Sequence, residues 1–364
     1  MSFLILLDTA TLLPLIVVFA VMPYLSTPDL QFGIRVPYNF SKQPEFLHLR
    51  RQYTILVALL QAIVLTIYVV FFSRIPGLFE TFMPILIVPI GFFGYFRARR
   101  KTLRLRGHYK QSEHSGGKII AYMVRDPIRW APIWFVLPWI ELSVFIAIGV
   151  LYYPHIPNIL ATHYGAGGQP NRFSVKSYLT VFELLILVYL PSLILLEAFA
   201  MAVLRVLPNR NSRTPRKAGM QMRGFNKAMY QLFIIIACIL GLSMFLDSAK
   251  EWGLLSGLPI IITTIPVIVI VPLVLLFTVR TGQTGWKLYP GAVEKPNEEQ
   301  VVDDDQYWTG GLVYHNKEDE SLLVPKRYGL GYTFNFGKRF VWILIGIVIA
   351  TPLIVITLVI IHVL

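Results

Sequence analysis

The chain has 364 residues, of which 55% are hydrophobic and only 15% are Asp, Glu, Lys or Arg, and its mean hydropathy is +0.61. A soluble domain carries about 25% charged residues, so this composition excludes an ordinary water-soluble protein and indicates that lipid is the solvent. The formal net charge of +13 would suggest nucleic acid as the partner of a soluble protein. In a membrane protein it is expected from basic cytoplasmic loops, and we predict no nucleic-acid partner.

Eight apolar runs are long enough for membrane-spanning helices, each of which needs about 20 mostly apolar residues. The runs lie near 3–25, 53–73, 78–96, 130–152, 178–206, 229–247, 257–279 and 340–362. The sequence therefore predicts an all-α integral membrane protein with about eight transmembrane helices and a small β-rich cytoplasmic appendage. The expected domains are a seven-helix membrane region with an external loop domain, the appendage and a last transmembrane helix, at 1–279 (loop domain about 130–206), 280–339 and 340–364.

Lysine and arginine are distributed unevenly among the connecting loops. Four loops hold all but four of the 33 basic residues, and these loops lie at 26–52, 97–129, 205–228 and 280–339. Basic loops stay in the cytoplasm, so we predict a multi-pass protein of the cell membrane with both termini outside. Anionic lipid headgroups of the inner leaflet are the expected partners of these loops.

The predicted external loop at about 153–177 is rich in Gly, Pro and Asn, which favour sharp turns. Two interpretations have equal weight: a binding surface for a ligand or protein partner, or a self-contained cap on the two flanking helices. Under the first interpretation the binding residues are Thr162, His163, Gln169, Asn171, Arg172 and Lys176.

The predicted appendage contains three short runs with strand-forming residues, at Gly311–His315, Ser321–Pro325 and Gly331–Phe336. The polar segment 316–320 between the first two runs is typical of a turn, and we expect it to connect a hairpin. The candidate contact residues of the appendage are Trp308, Tyr314, Asn316, Lys326, Arg327 and Asn335.

Among the carboxylates inside the predicted spans, the candidate residues are Glu141, Glu183 and Glu197. Ionisable groups are costly in a membrane and are functional candidates by default. As an alternative function, Glu141 and Glu197 would line the pathway of a transporter or channel, as a proton or cation relay. The structural alternative is that these carboxyls form hydrogen bonds across helix interfaces.

Motifs of known enzyme chemistry are absent from the sequence, which contains no HExxH, CxxC, GxGxxG or GxSxG pattern. We therefore expect no catalytic residues, no metal site and no cofactor, and we predict that the protein is not an enzyme.

One segment of the external loop has a recognisable pattern. It runs through Ile156-Pro157, Thr162-His163-Tyr164 and Gly168–Phe173 to Lys176, and it resembles a domain of unknown function found in SdpI-like (Sdp-type immunity) membrane proteins. The segment from Asp305 to Phe336 resembles a second small domain that accompanies the first. The resemblance implies a non-catalytic role in sensing, immunity or signalling, with a protein partner or a secreted peptide outside.

Overall fold

The protein is mostly helical in a computed structural model that describes residues 2–36, 42–72, 78–109, 132–164, 169–206, 215–255, 257, 261–291, 304–346 and 349–350. The helices are α1 (Ser2–Leu25), α2 (Pro44–Ile67), α3 (Leu78–Tyr109), α4 (Pro132–Tyr152), α5 (Tyr178–Glu183), α6 (Leu190–Leu204), α7 (Pro215–Glu251) and α8 (Ile261–Thr281). The strands are β1 (Leu30–Gln31), β2 (Ile34–Arg35), β3 (Ile159–Tyr164), β4 (Pro170–Val175), β5 (Trp308–Thr309), β6 (Val313–Tyr314), β7 (Leu323–Pro325) and β8 (Tyr332–Phe334).

Five helices of the described chain are long and apolar enough to cross a membrane: Pro44–Val70, Trp134–His155, Tyr178–Leu204, Arg216–Glu251 and Ile265–Gly285. The predicted count of eight spans is therefore not supported. α1 and α3 are helices at the first and third predicted runs. Most of the last predicted run, at 340–362, lies outside the described residues.

Two of the spanning helices begin earlier than their apolar runs. α2 begins at Pro44, a residue favoured in the first turn because it has no N–H to satisfy, and α7 begins at Pro215. The added turns are amphipathic rather than apolar, and they bury Phe46 and Phe225 completely. A hydropathy run therefore marks only the apolar part of each helix.

The span Tyr178–Leu204 is continuous but contains a π-helical segment, Leu184–Tyr189, between α5 and α6. The backbone N–H of Leu190 donates to the carbonyl of Leu185, which is the wider π spacing. Pro191 follows directly, and proline removes a helical donor and crowds the preceding turn. The widened turn brings Tyr189 into the interior, where it is 1% exposed.

The two largest apolar clusters of the described chain join several helices each. One cluster joins α4, α5, α6 and α7 around Phe182, Leu185 and Trp252. The other joins α2 and α3 to the β1–β2 turn and to the appendage around Tyr53, Tyr95, Phe32 and Tyr328. The appendage is therefore packed against helix ends.

The strands form four two-stranded antiparallel sheets, β1–β2, β3–β4, β5–β6 and β7–β8. The small sheets near the C-terminus agree with the predicted β-rich appendage, but segment 316–320 does not connect a hairpin as we predicted. β6 pairs with β5 across a turn in which Gly310 and Gly311 have φ of 61° and 72°. These left-handed conformations suit glycine, and they close the hairpin before segment 316–320 begins.

Candidate functional site

The predicted external loop folds as a hairpin, which the sequence analysis did not anticipate. β3 and β4 pair in the register Ile159↔Val175, Leu160↔Ser174 and Ala161↔Phe173, with a bulge at the following residue. Leu160 is 1% exposed and belongs to the apolar cluster of α4, α5 and α7. One face of the hairpin is therefore fixed on the helix ends.

The candidate residues of the hairpin have different surroundings. The Thr162 and Ser174 hydroxyls are 3.1 Å apart, and His163 Nδ1 and Asn171 Oδ1 are 2.5 Å apart. Arg172 lies opposite His163 in the ladder, and both Arg172 and Gln169 are exposed.

Lys176 has a structural position at the neck of the hairpin. Its ammonium group donates to the carbonyl of Ile156 at 2.9 Å and lies 4.5 Å from the centre of the Tyr153 ring. Its backbone N–H donates to the carbonyl of Asn158. The exposed polar groups left for a ligand are therefore His163, Asn171, Arg172 and Gln169.

Glu141 and Glu197 lie in the same helix group but are held separately. The Tyr189 hydroxyl donates to Glu141 Oε2 at 3.3 Å, and the Trp139 indole donates to Glu197 Oε2 at 2.8 Å. Both bonds cross helix interfaces, as the structural alternative proposed. Glu183 is exposed and has Glu251 as an electrostatic neighbour.

One oxygen of the Glu197 carboxyl is left over. Glu197 is 4% exposed, and its Oε1 is buried without a hydrogen-bond partner in the described chain. The buried hydroxyl of Tyr230, on α7, also has no partner there, and it has Glu197 as an electrostatic neighbour. Buried polar groups are normally paired. The Glu197 Oε1 and the Tyr230 hydroxyl are therefore the atoms of this helix group that can still form a hydrogen bond.

A cluster of charged residues, which we call the charge cluster, fixes the appendage to the rest of the protein. It consists of three arginines and two aspartates from β2, α3 and the appendage: Arg35, Arg106, Arg327, Asp304 and Asp305. Arg327 bonds both aspartates, Arg35 bonds Asp304 at 3.1 Å, and Arg106 bonds Asp305. Each aspartate therefore bridges two arginines.

Burial strengthens the interactions among the charges of this cluster. The Arg327 side chain is 3% exposed, lies 5.1 Å from the Trp308 ring and donates to the carbonyl of Gly33. Burial alone would raise the pKa of Asp304, but attraction to Arg35 and Arg327 holds it below its usual range. Burial alone would lower the pKa of Arg35, and the neighbouring aspartates raise it overall.

The remaining candidate residues of the appendage organise its turns. The Asn335 side chain accepts from the N–H groups of Asn316 and Gly337 and donates to the carbonyl of Asn316 at 2.8 Å. The Asn316 side chain accepts from the N–H of Glu318, and the Tyr314 hydroxyl donates to Asp319. These contacts point to a structural role.

Lys326 is half-buried, and its contacts are made by the backbone. Its carbonyl accepts from Gln283, beyond the end of α8, and its N–H donates to Gly331. Burial lowers the pKa of Lys326.

The sequence analysis missed several residues on which these sites depend. Arg35, Asp304 and Arg106 belong to the charge cluster, and Tyr189 and Trp139 hold the two intramembrane carboxyls. The charged partners Arg35 and Asp304 are 269 positions apart in the chain, so no local pattern connects them. The one available signal was the run of three aspartates at 303–305.

Five helices long and apolar enough to cross a membrane, a hairpin and a docked appendage define a membrane-like helical protein. Two family models match parts of the chain. Residues 143–188 match a domain of unknown function (DUF1648), and residues 317–342 match a family of unknown function (DUF5808). DUF1648 is typical of SdpI-like membrane proteins, and its match covers the second half of α4, the hairpin, α5 and most of the π-helical segment that follows. No curated protein matches the chain, and no solved structure matches it.

Proposed function

We propose that the protein is a non-catalytic, multi-pass protein of the cell membrane that senses an external agent through the β3–β4 hairpin. The appendage would pass the response to a cytoplasmic partner. The observation that carries this proposal is that one helix, α7, contacts the hairpin at one end and the appendage at the other.

The length of α7 suits this role. Its 37 residues span about 55 Å at 1.5 Å per residue, which exceeds the roughly 40–45 Å of a bilayer with its headgroups. A rigid helix of this length can transmit a small displacement at one surface to the other. The coupling would be physical, through packed contacts at both ends.

At the hairpin end, the Lys250 ammonium lies 5.8 Å from the centre of the Tyr164 ring. The indole of Trp252, just beyond α7, donates to the carbonyl of Val181 at 2.9 Å. At the appendage end, the Tyr332 hydroxyl donates to Asn226, and the rings of Phe225 and Tyr332 are 6.1 Å apart. A displacement of the hairpin or of the appendage would therefore act directly on α7.

The topology belongs to the same proposal. With the basic loops in the cytoplasm, the hairpin would lie outside and the appendage inside. Arg97, Arg100 and Arg104 of α3 are exposed and are suited to anionic headgroups of the inner leaflet. By analogy with the SdpI-like membrane proteins of which DUF1648 is typical, we further propose a role in immunity or signalling, with a protein or secreted peptide as the external agent.

The experiment compares Tyr164→Ala with Gln169→Ala in lipid nanodiscs, by hydrogen exchange with mass spectrometry. Tyr164 contacts α7, whereas Gln169 is exposed on the same hairpin and serves as the control. We expect Tyr164→Ala to speed exchange in the appendage at Tyr332–Phe334, and Gln169→Ala to leave it unchanged. Identical exchange in Tyr164→Ala and the unmodified protein would rule out coupling through α7.

The second candidate function is a proton- or cation-coupled transporter or channel. The unpartnered Oε1 of Glu197 and the unpartnered hydroxyl of Tyr230 favour it, because intramembrane carboxyls commonly mark ion pathways. Vesicles with a trapped pH-sensitive dye test it for protons. A conducting protein would dissipate an imposed proton gradient and lose this activity in Glu197→Gln, whereas a sensor would match protein-free vesicles.

A further inference from the structure

The exposed face of the β3–β4 hairpin is divided into an apolar base and a polar tip. Successive side chains of a strand point to opposite faces, so the cross-strand pairs Ile159↔Val175 and Ala161↔Phe173 lie on the face opposite buried Leu160. Ile159 is 64% exposed, Phe173 59% and Val175 76%. Farther towards the tip, beyond the bulge, come the exposed polar residues His163 and Asn171.

The apolar base lies close to the ends of two spans. Val175 precedes Tyr178, where one span begins, by three residues, and Ile159 follows His155, where the other ends, by four. The Thr180 hydroxyl, in the first turn of α5, donates to the carbonyl of Val175 at 3.1 Å. Three residues reach at most about 10 Å, so the base of the hairpin cannot stand far from the lipid.

The apolar base is also continuous with exposed apolar residues of the helix ends. Leu151 in α4 is 79% exposed, and Tyr178 and Leu179 in α5 are 70% and 67% exposed. A protein surface of this kind in water would be a large apolar patch, which is uncommon in soluble proteins. In a membrane, residues at these helix positions face lipid. The cross-strand pairs Ile159↔Val175 and Ala161↔Phe173 extend this apolar surface.

Along the strands, the distance over which the exposed residues change from apolar to polar matches the thickness of the headgroup layer. The headgroup layer on each side of the hydrocarbon is roughly 5–8 Å thick, and two residues of a strand advance about 7 Å. Val175 and Phe173 fall within this layer if the strand leaves the helix end directly, and Asn171 falls beyond it. The contacts of Lys176 at the neck fix the direction in which the hairpin leaves.

We infer that the apolar base of the hairpin is seated in the headgroup and upper acyl region of the leaflet from which it emerges. Its partner is the lipid surface, and only the tip around His163, Asn171 and Arg172 stands in water. The hairpin is then an interfacial element that holds the polar tip at a fixed height above the bilayer. This inference requires the membrane spans but does not require the hairpin to act as a sensor.

Site-directed spin labelling tests the inference, because Cys238 is the single cysteine of the chain. In a Cys238→Ser background, labels are placed at Gln169, Asn171, Phe173 and Val175, with a lipid-facing reference at Leu179. The protein is reconstituted in phosphatidylcholine nanodiscs. For each label, collisions with oxygen, which concentrates in lipid, are compared with collisions with a water-soluble nickel chelate.

We expect the oxygen-to-nickel collision ratio to rise several-fold from Gln169 to Val175 and to approach the Leu179 value at Val175. Equal nickel access at Phe173, Val175 and Gln169 would show that the base stands in water and would overturn the inference. Exclusion of both reagents at Phe173 and Val175 would also overturn it, since that result means coverage by protein. Two labelled base positions ensure that one misfolded variant does not decide the result.

Discussion

At the scale of single residues, Arg327 has the most connected side chain of the charge cluster. It bonds Asp304 and Asp305, faces the Trp308 ring and reaches the carbonyl of Gly33, while only 3% of its side chain is exposed. Burying charges costs free energy unless every partner is present. The cluster therefore fixes the position of the appendage, because any other position would leave a buried charge unpaired and would cost free energy.

The first prediction concerns Arg327→Met. Loss of one partner of a buried ion pair costs about 3–5 kcal/mol, so we expect the appendage to undock and its strand amides to lose protection by a similar amount. Hydrogen exchange of β5–β8 measures this loss. Arg100→Met, an exposed arginine of α3, is the control and should leave protection unchanged; unchanged protection in Arg327→Met would contradict the assigned role.

The second prediction concerns acid. The pKa of Asp304 is held below its usual value of 3.8 in the docked state, so its ionised form stabilises docking at all pH values above that usual value. This contribution is lost as the pH falls through the lower pKa of the docked state.

We expect pepsin to cleave the appendage slowly near pH 3.8 and rapidly once the pH falls further. Asp304→Asn should be cleaved rapidly at each pH at which the enzyme works, and it also corrects for changes in pepsin activity. A wild-type cleavage rate that followed that of Asp304→Asn across this range would show that Asp304 does not hold the appendage.

At the scale of secondary-structure elements, the packing of α4, α6 and α7 depends on close approach. A Cβ at Gly241 of α7 would meet the Tyr189 hydroxyl at 2.5 Å and Glu141 Oε2 at 2.9 Å. Glycine in a membrane helix permits such contacts between neighbouring helices. The hydrogen bond between Tyr189 and Glu141 therefore requires a glycine on the third helix.

The third prediction is that Gly241→Ala separates Tyr189 from Glu141 and destabilises the helix group. Overpacking of this kind costs about 1–3 kcal/mol, measured as a lower midpoint of thermal unfolding in detergent. Gly107→Ala, at a helical glycine with no atom within 4 Å of the added Cβ, is the matched control and should not lower the midpoint. An unchanged midpoint in Gly241→Ala would mean that the helices make room for the added methyl group without a loss of stability.

The sequence predicted helices better than strands, for a physical reason. An apolar run of about 20 residues is a strong signal because hydrocarbon permits few alternatives. The strands β3 and β4 have six residues each and alternate only weakly, so composition alone indicated a turn-rich loop. The pairing of β5 with β6 depended on Gly310 and Gly311, whose turn geometry was not considered.

At the scale of the whole molecule, three regions lie along α7: the hairpin, the polar group formed by Glu141 and Glu197 with their partners, and the appendage. The candidate residues lie in these three regions, and their functional roles stay predictions. Lys176, a candidate binding residue of the loop, and Asn335, a candidate residue of the appendage, bond backbone groups. Partners such as Arg35 and Asp304 meet only through the fold, which is why sequence patterns did not join them.

The fourth prediction concerns orientation. With Gln169→Cys and Arg104→Cys placed singly in the Cys238→Ser background, a membrane-impermeant maleimide should label Gln169→Cys in intact cells. It should label Arg104→Cys only after lysis, because the positive-inside rule keeps α3's basic end in the cytoplasm. Labelling of both positions from the same side would show that the proposed topology is wrong.

The charge cluster joins parts of the chain that are made at very different times. Arg35 and Gly33 leave the ribosome early, while Asp304 and Arg327 follow 269 and 294 positions later, after α2 to α8 have been synthesised. Until then Arg35 has Asp29 as a partner but lacks Asp304, and the Gly33 carbonyl lacks Arg327. Docking of the appendage is thus a late step of biogenesis, and a chain with a missing or inverted helix would leave this contact exposed to membrane proteases.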